Sequence, residues 1–417
     1  MAVIRASDER RGLERAAYYS LLAFAASLQL SIAAAGVLLT VTGALWEAVI
    51  VANRERIEVP YMFWPLAAYA GATLVAAAFS VDPRTSIIDC KQLLLFSIVP
   101  IAYRLARGRR ALTVVDIVIT IGAVSAVWGI VQFGIFKFDH LGRRPQGALG
   151  QYMTYSGQLM LVACTATARI LFRKNDRIWA SLVMPALIVA LVATLTRSAW
   201  IGACAGIGLL FLMRDLRFVA LLPVVAALVL GFGPTQLTDR LYSSFRLDKL
   251  RHDSATMQAG VQSNQDRVFM LQSGLRIIRD HPMTGVGPDV VREVYPQYRQ
   301  PGAVNQLNPH LHNVPFQIAA ERGLPALAIW LWFVFVLLRD FITMRKTTAI
   351  PSLATAALAS VVAMLAAGMF EYNFGDSEFL MLFLVIVTLP YAADRGTSAS
   401  APAPSAPPPS AATLTTT

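Results

Sequence analysis

Apolar runs long enough to span a bilayer recur along this chain, and that recurrence limits its fold more than any motif does. A hydrocarbon core about 30 Å thick is crossed by roughly 20 apolar residues in a helix. Such a run must satisfy its own backbone polar groups in lipid, so helices are the available solution. The runs fall near 16–31, 33–52, 61–80, 88–105, 112–134, 151–170, 178–196, 199–213, 217–236, 324–340, 351–371 and 378–392. The first two form one apolar stretch, divided because each end is basic. The stretch 178–213 is too long for one span and is divided at Arg197. The expected fold is all-α, a polytopic integral membrane protein with about 12 transmembrane helices. A composition 56% hydrophobic and only 15% charged, with mean hydropathy +0.55, excludes a soluble domain of this length.

Lys and Arg set the orientation. With the N-terminus inside, 20 of the 36 basic residues fall on cytoplasmic segments and six on the short outer loops: Arg84, Lys91, Lys137, Arg143, Arg144 and Arg197. This obeys the positive-inside rule and puts both chain ends in the cytoplasm. The pI near 9.9 then reflects loop charge, and no nucleic-acid partner is expected. The organisation read from the sequence is a cytoplasmic N-terminus (1–15), nine helices (16–236), a large outer loop (237–323), three helices (324–392) and a disordered cytoplasmic tail (393–417). The tail is rich in Ala, Pro, Ser and Thr from Gly396 onward. Cys90, Cys164 and Cys204 show no CxxC spacing and read as helix-packing residues. No cleaved signal peptide is expected.

Chemistry gathers on the outer face. Thr196-Arg197-Ser198-Ala199-Trp200 interrupts two apolar runs, and an Arg at a membrane boundary costs a few kcal/mol if unpaired. It is either an anion clamp for a phosphate or an interfacial Arg–Trp anchor. In the long loop, apolar residues at 268, 271, 275 and 278 recur at helical spacing, with Asp266 near the helix start and Arg267 in its first turn. Arg267 either binds a phosphate bidentately or pairs with Asp266. His281-Pro282-Met283-Thr284-Gly285-Val286-Gly287-Pro288 ends that helix in a Gly/Pro turn.

Pro309-His310-Leu311-His312-Asn313-Val314-Pro315 then leads into a helix, with Asn313, Gln317 and Glu321 on one face at i, i+4, i+8. One histidine of the pair reads as a general base. A His-x-His metal site needs a third ligand and no DxD pair lies outside, so no metal or other cofactor is expected. Lys91 beside Asp89, and Glu371 with Asp376 and Glu378, read as loop solvation or local pairing. Arg143 and Arg144 read the same way, or as helpers in diphosphate binding.

These residues resemble the O-antigen ligase and polymerase superfamily. The ligase motif of His, then Asn, Ser or Gln, two residues, Leu, six residues and Gly is met by His312-Asn313-x-x-Phe316-x6-Gly323, with Phe for Leu. The segments 266–288 and 196–200 carry the likeness further. The resemblance implies a bacterial inner-membrane enzyme with a periplasmic site. It would transfer glycan from an undecaprenyl-diphosphate-linked donor to lipid A–core without metal or nucleotide. It also implies that Arg197 and Arg267 bind the diphosphate and that His312 is the base. Asn313, Gln317, Glu321, Lys91, Arg143 and Arg144 are the expected substrate-binding residues. The rivals are an O-antigen polymerase on the same donor and, from another class, a lipid flippase or transporter. A transporter calls for polar groups spread through the membrane depth.

Overall fold

In the computed structural model, residues 2–140, 142–173, 177–215, 217, 255–303 and 307–398 are described. The expected ninth span, 217–236, lies outside them, apart from Arg217. Among the described residues the chain is helical, with no strand. Six stretches are long and apolar enough to cross a membrane: Ile32–Asn53, Pro83–Leu105, Arg110–Gly134, Val314–Thr347, Pro351–Gly368 and Ser377–Arg395. The protein is thus a polytopic membrane protein.

The helices are α1 (Ala2–Ser27), α2 (Ile32–Asn53), α3 (Phe63–Ala78), α4 (Pro83–Asp89), α5 (Ile98–Leu105), α6 (Arg110–Gly134), α7 (Tyr152–Phe172), α8 (Arg177–Ala193) and α9 (Arg197–Arg214). Then follow α10 (Ala255–Asp280), α11 (Val291–Tyr298), α12 (Val314–Thr347), α13 (Pro351–Gly368) and α14 (Ser377–Ser398). The expected single helix over 88–105 is instead α4, a 3₁₀ segment Cys90–Ser97 and α5. Pro100 has no N–H for the Phe96 carbonyl, which disfavours a continuous α-helical ladder there.

α7 lies at the centre. Every residue from Thr154 to Arg169 is buried, so this helix faces protein rather than lipid and tolerates hydroxyls. Thr165 and Thr167 donate to the Leu161 and Ala163 carbonyls one turn back, both at 2.8 Å. α9 packs beside α7 against α13 through small residues. A Cβ on Gly206 would sit 2.8 Å from the Ala359 carbonyl, and one on Gly202 would sit 2.7 Å from that of Ala363. Small residues four apart allow backbones to approach this closely in a membrane. The close contact fixes α9, and with it Arg197 at its first residue, against α13, whose far end leads to Glu371.

Ion pairs join helix ends that the charge pattern assigns to the cytoplasm. Arg104 binds Glu14 at 2.8 Å and also Glu55, and Arg169 binds Asp116 at 2.6 Å.

Gly206→Ala is expected to lower the melting temperature of the purified protein by several degrees, because the added carbon meets backbone. Gly208, with open space around it, is the control. Gly208→Ala should be neutral or stabilise by about 0.5–1 kcal/mol. Equal melting temperatures for the two variants would contradict the packing.

Candidate active site

The site is assembled around a break in α12. The helix runs from its cap at Asn313, with Pro315 in the first turn, but Gly323 leaves helical geometry at φ 80° and ψ 170°. Pro325 has no N–H to give the Glu321 carbonyl, and the Leu324 N–H turns to the Pro282 carbonyl at 2.8 Å. The two freed carbonyls are taken by the turn after α10. Val286 N–H donates to Ala320 and Gly287 N–H to Glu321, both at 2.9 Å. A Cβ on Gly323 would lie 2.1 Å from the Met283 carbonyl oxygen, so only glycine fits.

The His-Leu-His segment hangs from this junction. Leu311 is buried with Met270, Ile277, Val286, Val290 and Tyr295, and its side chain lies against Gly274 of α10. Its N–H donates to Gln317 Oε1 at 2.7 Å. Gln317 Nε2 donates to Glu321 Oε1 at 2.8 Å, and Glu321 also accepts from the Asp289 N–H at 3.0 Å and from Arg322. Arg322 reaches the Tyr372 hydroxyl at 3.2 Å and Asp89 at 3.4 Å. Asn313 accepts from Phe316 N–H at 3.0 Å and donates to the Met369 carbonyl at 3.1 Å. Asn313, Gln317 and Glu321 are therefore buried and bonded internally, and they fix the loop.

Within that frame His312 Nδ1 lies 3.0 Å from both carboxylate oxygens of Glu371. His312 holds φ 50°, a left-handed conformation that a non-glycine residue adopts only when its surroundings impose it. The Tyr372 N–H donates to Glu371 at 3.0 Å. Burial alone would raise the Glu371 pKa. The hydrogen bond and charge of His312, with the charges of His310 and Arg267, outweigh burial and hold it at about 2. An ionised carboxylate only accepts, so His312 donates from Nδ1, and a neutral imidazole held this way has its lone pair on Nε2. Burial, above all, pushes His310 down to about 4. Its ring packs edge-on to His312 with centroids 4.2 Å apart.

Arginines complete the cluster. Arg267 acts electrostatically on Glu371, His310, Arg144 and Arg197. Arg144 stacks on Tyr152 at 3.8 Å. The structure thus brings together His312, Arg197, Arg267 and Arg144. It sets Arg143 apart, exposed and 4.2 Å over the Phe138 ring, and leaves Lys91 exposed near Asp89.

α10 starts at Ala255 rather than near Asp266, so Asp266 and Arg267 sit mid-helix: the Ala, Met and Gln of 255–262 favour helix and carry its start upstream. Its buried side carries Asp266, Met270, Ser273 and Ile277, whereas Val268 and Leu275, two of the apolar residues at helical spacing, are exposed. The helix has two apolar stripes, and periodicity alone does not say which one meets protein. Sequence reasoning missed Glu371; its only signal was an acid between two apolar runs on the face that carries the histidines.

Fold and site together define a polytopic membrane protein with a histidine–carboxylate pair and arginines gathered where its helices meet the connecting loops. A family model described as O-antigen ligase matches residues 182–331, and this match supports membership of the O-antigen ligase superfamily, whose members are glycosyltransferase-like enzymes of ligase or polymerase type. No curated protein matches the chain.

The pKa shifts carry a stability signature. His310 takes its proton near pH 4 when folded, against 6.5 for the ordinary group, so on acidification the unfolded chain binds that proton first. Stability falls from pH 6.5 to 4 on this account. Glu371 contributes stability above pH 4.5 that is lost as pH falls toward 2. His310→Gln should therefore shrink the drop in melting temperature between pH 6.5 and 4. A drop as large as in the wild type would contradict the burial assigned to His310.

Proposed function

We propose that the protein is an O-antigen ligase that transfers glycan from undecaprenyl diphosphate to a sugar hydroxyl of lipid A–core at the periplasmic face of the inner membrane. The observation that carries this reading is the His312–Glu371 pair set among arginines from three separate segments.

Glu371 fixes the His312 tautomer and ring, so that Nε2 accepts the proton of the acceptor hydroxyl. The hydroxyl oxygen attacks the anomeric carbon as the bond to the diphosphate oxygen breaks, and that oxygen leaves with the electron pair. Arg197 and Arg267, joined by Arg144, bind the diphosphate and meet the charge that builds on it, since guanidinium geometry matches phosphate oxygens. Like charges make it costly to hold these arginines together, a cost that a diphosphate between them relieves. No step calls for a metal or a nucleotide. Asn313, Gln317, Glu321 and Arg322 position the base rather than touch the sugar. A one-sided site favours an enzyme over a flippase.

His312→Ala, Arg197→Ala and Arg267→Ala should each abolish capping of lipid A–core while the protein still inserts. General-base help is typically worth about 10²–10⁴-fold. Glu371→Gln should lower kcat by about 10²-fold with little change in KM, measured on purified protein with lipid-linked glycan and lipid A–core. Wild-type turnover by His312→Ala would remove the base assignment. Chain lengthening of lipid-linked glycan without lipid A–core would replace the ligase reading with the polymerase one.

A further inference from the structure

We infer that His310, His312 and Glu371 form a binding site for a divalent transition-metal cation, and that occupancy switches the base off. The three side chains offer one ligand atom each, all within 4.8 Å of one another. His312 Nδ1 lies 3.0 Å from Glu371 Oε2 and His310 Nε2 lies 3.8 Å from Oε1. Ligand atoms about 2.0–2.2 Å from one tetrahedral Zn²⁺ are separated by roughly 3.3–3.6 Å, a spacing these distances bracket. The third ligand that the His-x-His pair lacks in the sequence comes from the segment between α13 and α14.

The donor set selects the cation. Two imidazoles and one carboxylate suit Zn²⁺, Co²⁺ and their neighbours, whereas Mg²⁺ and Ca²⁺ prefer oxygen ligands alone. The scaffold holds the set in place before any ion arrives. Leu311 is anchored between the histidines, and Tyr372 N–H pins Glu371. All three side chains are partly exposed, and a cavity of about 170 Å³ reaches His310 and Glu371, leaving room for a water in the fourth position. The positive charge of Arg267 bears on His310 and Glu371 and weakens the hold on a cation.

The consequence for the base follows from proton balance and rests on the reading of His312 given above. Neutral His312 carries its single ring proton on Nδ1, donated to Glu371. A cation bound at Nδ1 moves that proton to Nε2 with no net proton released, and the Nε2 lone pair is lost. Binding itself does not depend on that reading.

The test uses the full chain in nanodiscs, without a polyhistidine tag. Titration with Co²⁺ should give the visible absorption band of tetrahedral cobalt in the wild type, displaced by Zn²⁺ and absent from His310→Gln and Glu371→Gln. No band in the wild type, or the same band in His310→Gln, would overturn the site. In the transfer assay Zn²⁺ should slow the wild type and EDTA restore it. His310→Gln, active in EDTA, should need at least about tenfold more Zn²⁺ for equal inhibition. A wild-type band with transfer indifferent to Zn²⁺ would overturn the control of the base. A band in a protein with no transfer under any condition would overturn the transferase reading and leave the site standing.

Discussion

A backbone carbonyl without a partner costs several kcal/mol in a lipid environment, and the break in α12 exposes two of them. The site exists because the turn 282–287 closes that break. Val286 and Gly287 take the carbonyls of Ala320 and Glu321, and the Pro282 carbonyl takes the Leu324 N–H. The same strap is tied to the α3–α4 junction, where Val81 N–H and the Ser80 hydroxyl both donate to the Val286 carbonyl, at 2.9 and 3.0 Å. Three distant stretches of chain are thereby locked at one point, and the His-Leu-His segment is suspended beside it.

From this junction a buried polar ladder leads to the base. Gln317, Glu321, Arg322 and Asp89 pass hydrogen bonds and charge toward Tyr372, the neighbour of Glu371. A buried ion pair gives little net stability against an apolar replacement, yet losing one partner is strongly destabilising. The ladder therefore reads as a device for placing groups. It holds Glu371 opposite His312, whose left-handed backbone would relax without that constraint.

Much of this was legible in the sequence, for identifiable reasons. Apolar runs report helices because lipid leaves no other backbone solution, and Thr196-Arg197 marked a helix start because a charge interrupts two such runs. Pro315 announced a first helical turn, and the structure starts α12 there, with Asn313 as its cap. The face shared by Asn313, Gln317 and Glu321 was also legible, but spacing cannot say whether a polar face meets substrate or protein. Glu371 was out of reach for a different reason. Its partner is 59 residues away, and no local pattern encodes a contact made by two loops at the ends of packed helices. The start of α10 was misplaced because the apolar spacing begins only at Val268, whereas the polar run before it is made of good helix formers.

The central claim is that Glu371 holds the His312 proton on Nδ1 and leaves Nε2 as the base. The direct measurement is ¹⁵N NMR of histidine-labelled protein at neutral pH, with the His312 signals assigned by their loss in His312→Ala. The account predicts a protonated Nδ1 and an unprotonated Nε2 for His312, and loss of that preference in Glu371→Gln. A His312 ring protonated on Nε2 alone in the wild type would contradict it.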